Sequence, residues 1–276
     1  MNLANLSIDR NGGVATLWLD RPEKLNALDR ALWHSIPQAV ASLDQDDEVR
    51  VIVLAGKGKG FCGGIDLMDH APALAGGGSL SGRGESEVGK RRAMYEDIRA
   101  YQQTASCFSN TNKPVIAAVH GACIGGGMDL ITACDVRLAA ANAVFSVRET
   151  KIAIVADIGS LQRLPPIVGE GIARELIFTG KDIDATRALE IGLVNAVLPD
   201  EAALFAAATE MAQEIAANSP LVVQGAKHVL GFSRRRATDA DLDYVALWNA
   251  AFLHSDDLGE AMRSFVERRP PRYRGQ

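Results

Sequence analysis

Two glycine-rich turns and three acidic residues carry the chemistry that this sequence could do. Gly63-Gly64-Ile65-Asp66 and Gly125-Gly126-Gly127 leave backbone N–H groups free to point at an anion, because glycine permits tight turns and close approach. The second turn opens a helix expected over Met128–Cys134, so its amides also sit at a positive dipole end. Two converging amides make an oxyanion hole, suited to a thioester carbonyl that becomes an enolate. Glycine spacing alone favours ordinary turns. Asp129 lies one helical turn beyond Gly126 and projects near the same face. Its alternative role is a first-turn acid on the helix dipole. Glu149 ends an expected strand between Arg148 and Lys151, where a solvated ion pair is the alternative. Asp157 precedes an expected helix, Ile158–Leu164, and could be its N-cap.

Other site chemistries fit less well. Gly58-Lys59-Gly60-Phe61-Cys62-Gly63 matches the dinucleotide-binding G-x-G-x-x-G, but Pro72 should cut short the helix that must follow. The strand before it is also not the first of a βαβ unit. No G-x-S-x-G occurs, and His120 reads as a packed or hydrogen-bonded residue at a strand end. The four cysteines form no C-x-x-C pair, which argues against a zinc or dithiol site and for free thiols in a reducing compartment.

These residues need elements to hold them. Ser7–Arg10 and Val14–Leu19 flank Asn11-Gly12-Gly13 as a hairpin. Leu32, Ile36, Val40 and Leu43 give a helix over Ala31–Leu43, with Asp29 as its N-cap. Val49–Ala55 is a continuous apolar run, as in a strand buried on both faces; Pro114–Val119 and Ala143–Val147 read as further strands. Such alternation implies an α/β core. Residues 71–90 are rich in Gly and Ser and read as a mobile surface loop, either a tolerated insertion or a lid. From about residue 200 the chain reads as helical, with one stripe at Leu204, Ala208, Met211 and Ile215 and another at Leu242, Val245, Asn249 and Phe252. The aromatics Tyr244, Trp248 and Phe252 serve either internal packing or an oligomer interface.

Composition bounds the rest. At 276 residues, with 47% hydrophobic and 23% charged residues, the chain can bury a full core, and disorder is excluded. A net charge of −5 gives no electrostatic footprint for nucleic acid or an anionic membrane. His120 and Asp129 interrupt the most apolar stretch, so no membrane span is expected. The N-terminal residues lack a basic and apolar leader pattern, and the last three are no peroxisomal signal; a cytoplasmic location is therefore expected.

The segments RPEKLNALD (21–29), GKGFCGGIDL (58–67), HGACIGGGMDLITACD (120–135), FSVRETKIAIVADIGSLQRLP (145–165) and GLVNAVLPD (192–200) together resemble the crotonase, or enoyl-CoA hydratase/isomerase, superfamily. The resemblance runs over nearly the whole chain. It implies a crotonase-type α/β spiral of ββα units over residues 1–197, carrying the site, and a C-terminal helical oligomerisation region over 198–276. It also implies oxyanion donors at the Ile65 and Gly126 amides. Gly63, Gly64, Ile65, Asp66, Leu67 and Gly126 would contact substrate, and Lys24, Leu25 and Ala27 coenzyme A.

Asp129, Glu149 and Asp157 stand where Δ3,5-Δ2,4-dienoyl-CoA isomerases carry Asp, Glu and Asp. The hydratases carry two glutamates and a small residue at these positions. The resemblance thus implies an isomerase of fatty-acid β-oxidation in which Asp157 takes a proton from carbon 2 and Glu149 returns one to carbon 6. Asp129 would keep Glu149 protonated. Coenzyme A would enter as part of an acyl-CoA substrate, with no metal or redox cofactor, and the assembly would be a homotrimer or a dimer of trimers. Hydration of a trans-2-enoyl-CoA by Asp129 and Glu149 is the alternative activity, and a non-catalytic binding module of the same fold the alternative class.

Overall fold

The computed structural model describes residues 3–75 and 86–275. Strands β1 (Leu6–Asn11) and β2 (Val14–Leu19) form the expected antiparallel hairpin across Gly12-Gly13. A short 3-10 turn, Pro22–Lys24, leads into α1 (Arg30–Asp44), where the Asp29 side chain accepts from the Leu32 amide as N-cap. Strand β3 (Val51–Gly56) pairs in parallel with β2 and is buried throughout, as its unbroken apolar run requires.

From β3 onward the chain makes the same pass three times, each with a long strand, a short strand and a helical turn. The first pass runs from β3 through an isolated bridge at Cys62 into α2 (Leu67–Ala75). After α3 (Glu87–Asn110), the second runs from β4 (Val115–Val119) through β5 (Ala122–Ile124) into α4 (Gly126–Thr132). The third runs from β6 (Val136–Ala140) through β7 (Val144–Ser146) into a 3-10 turn at Glu149–Ile152. There follow α5 (Ser160–Arg163), α6 (Pro165–Val168), α7 (Glu170–Thr179), β8 (Ile183–Asp184), α8 (Ala185–Glu190) and β9 (Ala196–Leu198). The six-stranded sheet has the order β1-β2-β3-β4-β6-β9, parallel except for β1, and the small sheet the order β5-β7-β8.

Each face of the large sheet has its own cover. Leu17, Ile52, Leu54 and Ala117 pack with α1 and α3 residues such as Ile36, Ile98 and Phe108. On the other face Val53, Ala55, Ile116 and Leu138 meet Leu204, Ala208 and Ala212 of α9 (Glu201–Ala217). The chain ends with α10 (Pro220–Phe252) and α11 (Asp256–Glu267), so the region beyond 198 is helical as expected, with α9 a layer on the sheet. The four cysteines are free thiols. Among the described residues no helix is long and apolar enough to cross a membrane.

Three local expectations are corrected. The first turn of α4 begins at Gly126, two residues before Met128, because Gly125 (φ +50°) serves as N-cap. The helix after Asp157 begins at Ser160 with Gly159 (φ +140°) as its cap, so Asp157 caps nothing. Helix α2 runs through Pro72 to Ala75, forgoing one backbone hydrogen bond, and α3 starts at Glu87. The loop read over 71–90 is thus helical at both ends, and its centre, 76–85, lies outside the described residues.

Candidate active site

The repeated pass explains how distant residues meet. Cys62 pairs in parallel with Cys123, donating to the Ala122 carbonyl (2.8 Å) and accepting from the Ile124 amide (2.9 Å). Strand β5 in turn pairs with β7. The turns that end the three short strands therefore lie side by side: Gly64-Ile65, then Gly125-Gly126, then Glu149. A methyl group on Gly64 (φ +92°) would lie 3.0 Å from the Ile124 carbonyl oxygen and 3.8 Å from the Gly126 nitrogen. One on Gly125 would lie 3.3 Å from Glu149 Oε1. Glycine is needed here for close backbone approach. Among the described residues, neither the Ile65 nor the Gly126 amide donates to a protein acceptor.

The G-x-G-x-x-G run serves the same crossing. A methyl on Gly121 would meet the Lys59 carbonyl oxygen at 2.2 Å, and the Phe61 amide donates to the His120 carbonyl (2.8 Å). His120 Nε2 donates to the Gly58 carbonyl (2.9 Å), the hydrogen-bonded strand-end role expected of it.

Beside the free amides lies a cavity of about 380 Å³, lined by Gly63, Gly64, Ile65, Leu67, Gly126 and all three acidic residues. Its apolar wall comes from Trp33 and Tyr101, stacked 5.0 Å apart, together with Ile98, Ile154, Leu253 and Phe265. The expected CoA segment borders this region through backbone pairing: the Leu25 carbonyl accepts from Gly63 (2.8 Å) and the Leu28 amide donates to Gly64 (2.7 Å). Lys24 and Leu25 are exposed, and the Ala27 carbonyl accepts from Arg21 (3.1 Å). None of the three lines the cavity. Asp66 does not line it either. Its carboxylate pairs with Arg21 (2.6 Å) and accepts from the Met68 and Asp69 amides at the start of α2.

The three carboxyl groups differ in what holds them. Asp129 is buried, and its Oδ1 accepts from both the amide (2.6 Å) and the hydroxyl (2.7 Å) of Ser160. Burial lifts its pKa to about 6 against those two donors and the nearby Arg163 charge. Glu149 forms no ion pair with its neighbours, for Arg148 is paired with Asp182 (2.5 Å). Glu149 Oε2 is buried with no hydrogen-bond partner. Burial first, then the Asp129 charge, push its pKa to about 8. Asp157 Oδ2 accepts from Asn249 Nδ2 (2.7 Å); burial raises it to about 7 while that hydrogen bond pulls the other way. Chemically, the arrangement can supply an acid and a base to one apolar cavity, beside two free amides.

A family model described as enoyl-CoA hydratase/isomerase matches residues 9–276. The chain belongs to that family. Among the family's members, the mitochondrial Delta(3,5)-Delta(2,4)-dienoyl-CoA isomerase of Dictyostelium discoideum is 43% identical over 96% of this chain and 90% of that protein. The peroxisomal Delta(3,5)-Delta(2,4)-dienoyl-CoA isomerase of Arabidopsis thaliana is 44% identical over 95% of this chain and 93% of that protein. An enoyl-CoA hydratase/isomerase of Pseudoalteromonas atlantica superposes with a TM-score of 0.84 at 26% identity, covering 98% of this chain and all of that one. The fold is the crotonase-type α/β spiral that the motifs implied.

The same relatives overturn the expected cytoplasmic location, since one is mitochondrial and the other peroxisomal. Organelle addresses are read by receptors from segments outside the fold, so the residues that build the site carry no such information.

The hydratase/isomerase motifs did not reveal Ser160, Asn249 or the Trp33–Tyr101 wall. Ser160 stood in a quoted motif but without a partner to give it meaning. Asn249 was the one polar member of an apolar stripe, which is a usable signal. Trp33 and Tyr101 carried none, as core aromatics share the same helical spacing.

Proposed function

We propose that this chain isomerises 3,5-dienoyl-CoA thioesters to 2,4-dienoyl-CoA by two carboxyl-mediated proton transfers. Asp157 takes the proton from carbon 2. The electron pair moves into a dienolate whose thioester oxygen is held by the Ile65 and Gly126 amides. Glu149 then delivers a proton to carbon 6, leaving double bonds at carbons 2 and 4. Asp129 stays ionised on its two Ser160 donors and opposes ionisation of Glu149.

The carrying observation is the unequal solvation of two carboxyls on one cavity: Asp157 has an N–H donor, Glu149 Oε2 has none. Two such groups hold one proton between them, and it rests on Glu149. Names borne by the relatives from D. discoideum and A. thaliana agree with this reading. Hydration is less well supported, because the relatives' names point to isomerisation and one oxygen of Asp129 is committed to both Ser160 donors. On this mechanism side chains move every proton, and no metal or redox cofactor enters a step. The test is to offer purified protein 3,5-dienoyl-CoA and trans-2-enoyl-CoA separately. Growth of the longer-wavelength absorbance of a diene conjugated with the thioester carbonyl, at the expense of the isolated 3,5-diene band, supports the proposal; loss of enoyl absorbance alone would replace it with hydration.

The oxyanion role predicts the effect of Gly126→Val. A β-carbon there would sit 2.7 Å from Leu28 Cδ1 and 3.7 Å from Trp33, so the buried Leu28 side chain or the turn must give way, and the branches of valine would crowd the Gly126 amide where the thioester oxygen is to be held. Losing one such donor costs about 2.7–4 kcal/mol in the barrier, a 10²–10³-fold fall in kcat. Unchanged turnover in this variant would remove Gly126 from the site.

The assembly belongs to the proposal too: a homotrimer or a dimer of trimers joined through the region 198–276. Tyr244 and Phe252 are 66% and 62% exposed in the single chain, with Trp248 beside Phe252 at 4.9 Å, so internal packing does not use them. Such a patch on a helix is what an interface core covers. Trp248→Ala is expected to lower the assembled mass in light scattering; an intact assembly with lower thermal stability would contradict that.

A further inference from the structure

Asn249 is 2% exposed and lies on the inward stripe of α10 with Leu242 and Val245. A buried amide among apolar residues is costly unless its hydrogen bonds are made. Here Nδ2 makes two, to the Val155 carbonyl (2.8 Å) and to Asp157 Oδ2 (2.7 Å). From α3, Gln102 is fully buried and donates to the Asp157 carbonyl (2.8 Å) and to the Leu242 carbonyl of α10 (2.8 Å). The segment bearing Asp157 has no regular structure of its own between the turn Glu149–Ile152 and α5. Two amides, from helices far away in sequence, therefore fix its height and its direction.

We infer that Asn249 is a positioning residue for the proton transfer, aiming the Asp157 carboxylate at the cavity and stabilising its charged form. The inference rests on the assignment of Asp157 as base. Its physical content is an asymmetry. Asp157 and Glu149 share one cavity and the same nearby Asp129 charge, and backbone amides act on both, so a side-chain donor is what tells them apart. Asn249 supplies a donor to one of them only, and a carboxylate is what a fixed N–H favours. The pKa directions agree, since Asn249 is the largest influence lowering Asp157, and Glu149 has no side-chain donor. The ionisable groups facing Asp157 are Asp129 of α4, Glu149 and Arg148 of the turn after β7, and Tyr101 of α3, with Arg163 of α5 behind Asp129. Helices α10 and α11 face it with Asn249, Leu253 and Phe265, none of which titrates.

The test compares Asn249→Ala and Asn249→Leu, which lack the donor, with Asn249→Gln, which keeps an amide. Leu keeps the heavy-atom count and γ-branching of Asn and leaves no cavity, so one donor-free variant remains if the smaller one fails to fold. The acid limb of kcat/KM reports the ionisation of the base. Loss of the donor should move that limb to higher pH by about one unit. The Gln variant should return it toward wild type. A purely structural role would lower the melting temperature, or kcat at all pH values, and leave the limb in place; that result overturns the inference. A second readout does not depend on turnover. The Asp157 carboxyl band, isolated by infrared difference against Asp157→Asn, should titrate at higher pH in Asn249→Ala. An unmoved band refutes the role of Asn249 even where Asp157→Asn has lost activity. Wild-type activity of Asp157→Asn refutes instead the base assignment.

Discussion

Replacing Asp157 with asparagine should lower dienoyl-CoA isomerisation by about 10²–10⁴-fold, the usual worth of a positioned general base. Asparagine keeps the size of the side chain and a hydrogen-bonding group toward Asn249, yet accepts no proton. Binding of the acyl-CoA should survive, because the free amides of Ile65 and Gly126 and the wall made by Trp33 and Tyr101 are untouched. Diene absorbance for turnover and calorimetry for binding separate the two effects. Asp129→Asn should cost less. Its oxygen still accepts from Ser160, and what is lost is the charge that opposes ionisation of Glu149. Wild-type turnover by Asp157→Asn would remove this residue from the mechanism.

Glu149→Gln should be equally damaging, for a different reason: the dienolate forms but finds no acid at carbon 6. A loss of about 10²–10⁴-fold is expected here as well. The pH profile carries the sign. An acid must hold its proton to act, so the wild-type alkaline limb should fall near the raised pKa of Glu149, about 8. A base must be ionised, which sets the acid limb near the Asp157 value of about 7. Activity is thus expected in a narrow window between the two. The residual rate of Glu149→Gln should lose its alkaline limb and keep the acid one. Persistence of the alkaline limb would assign it to another group.

Local order in this chain was readable where one segment decides its own structure. The hairpin at Gly12-Gly13, the Asp29 cap and the unbroken apolar run of β3 are of this kind. The small sheet was less so, because β5 and β8 are only three and two residues long and exist through partners elsewhere in the chain. Asp157 makes the same point in the site. As a sequence position before a helix it reads as an N-cap, but Gly159 at φ +140° takes that place and leaves Asp157 to a partner 92 residues away. Asp66 differs in the opposite way: it sits inside a motif expected to contact substrate, but Arg21 claims its carboxylate and it does not line the cavity. The three acidic residues and two turns were legible only together, through the motifs that resemble the hydratase/isomerase family and lie at the ends of the repeated pass of the spiral. The unequal donors that assign acid and base were not, since they come from Ser160 and Asn249 across the fold.

The division of labour between Asp157 and Glu149 is tested most directly by following protons in deuterated water with 3,5-dienoyl-CoA as substrate. Glu149→Gln should exchange the carbon 2 hydrogen for deuterium in recovered substrate while forming little 2,4-dienoyl-CoA. Asp157→Asn should do neither. Wild-type exchange at carbon 2 by Asp157→Asn, or its absence in a folded Glu149→Gln that still binds substrate, would contradict the mechanism.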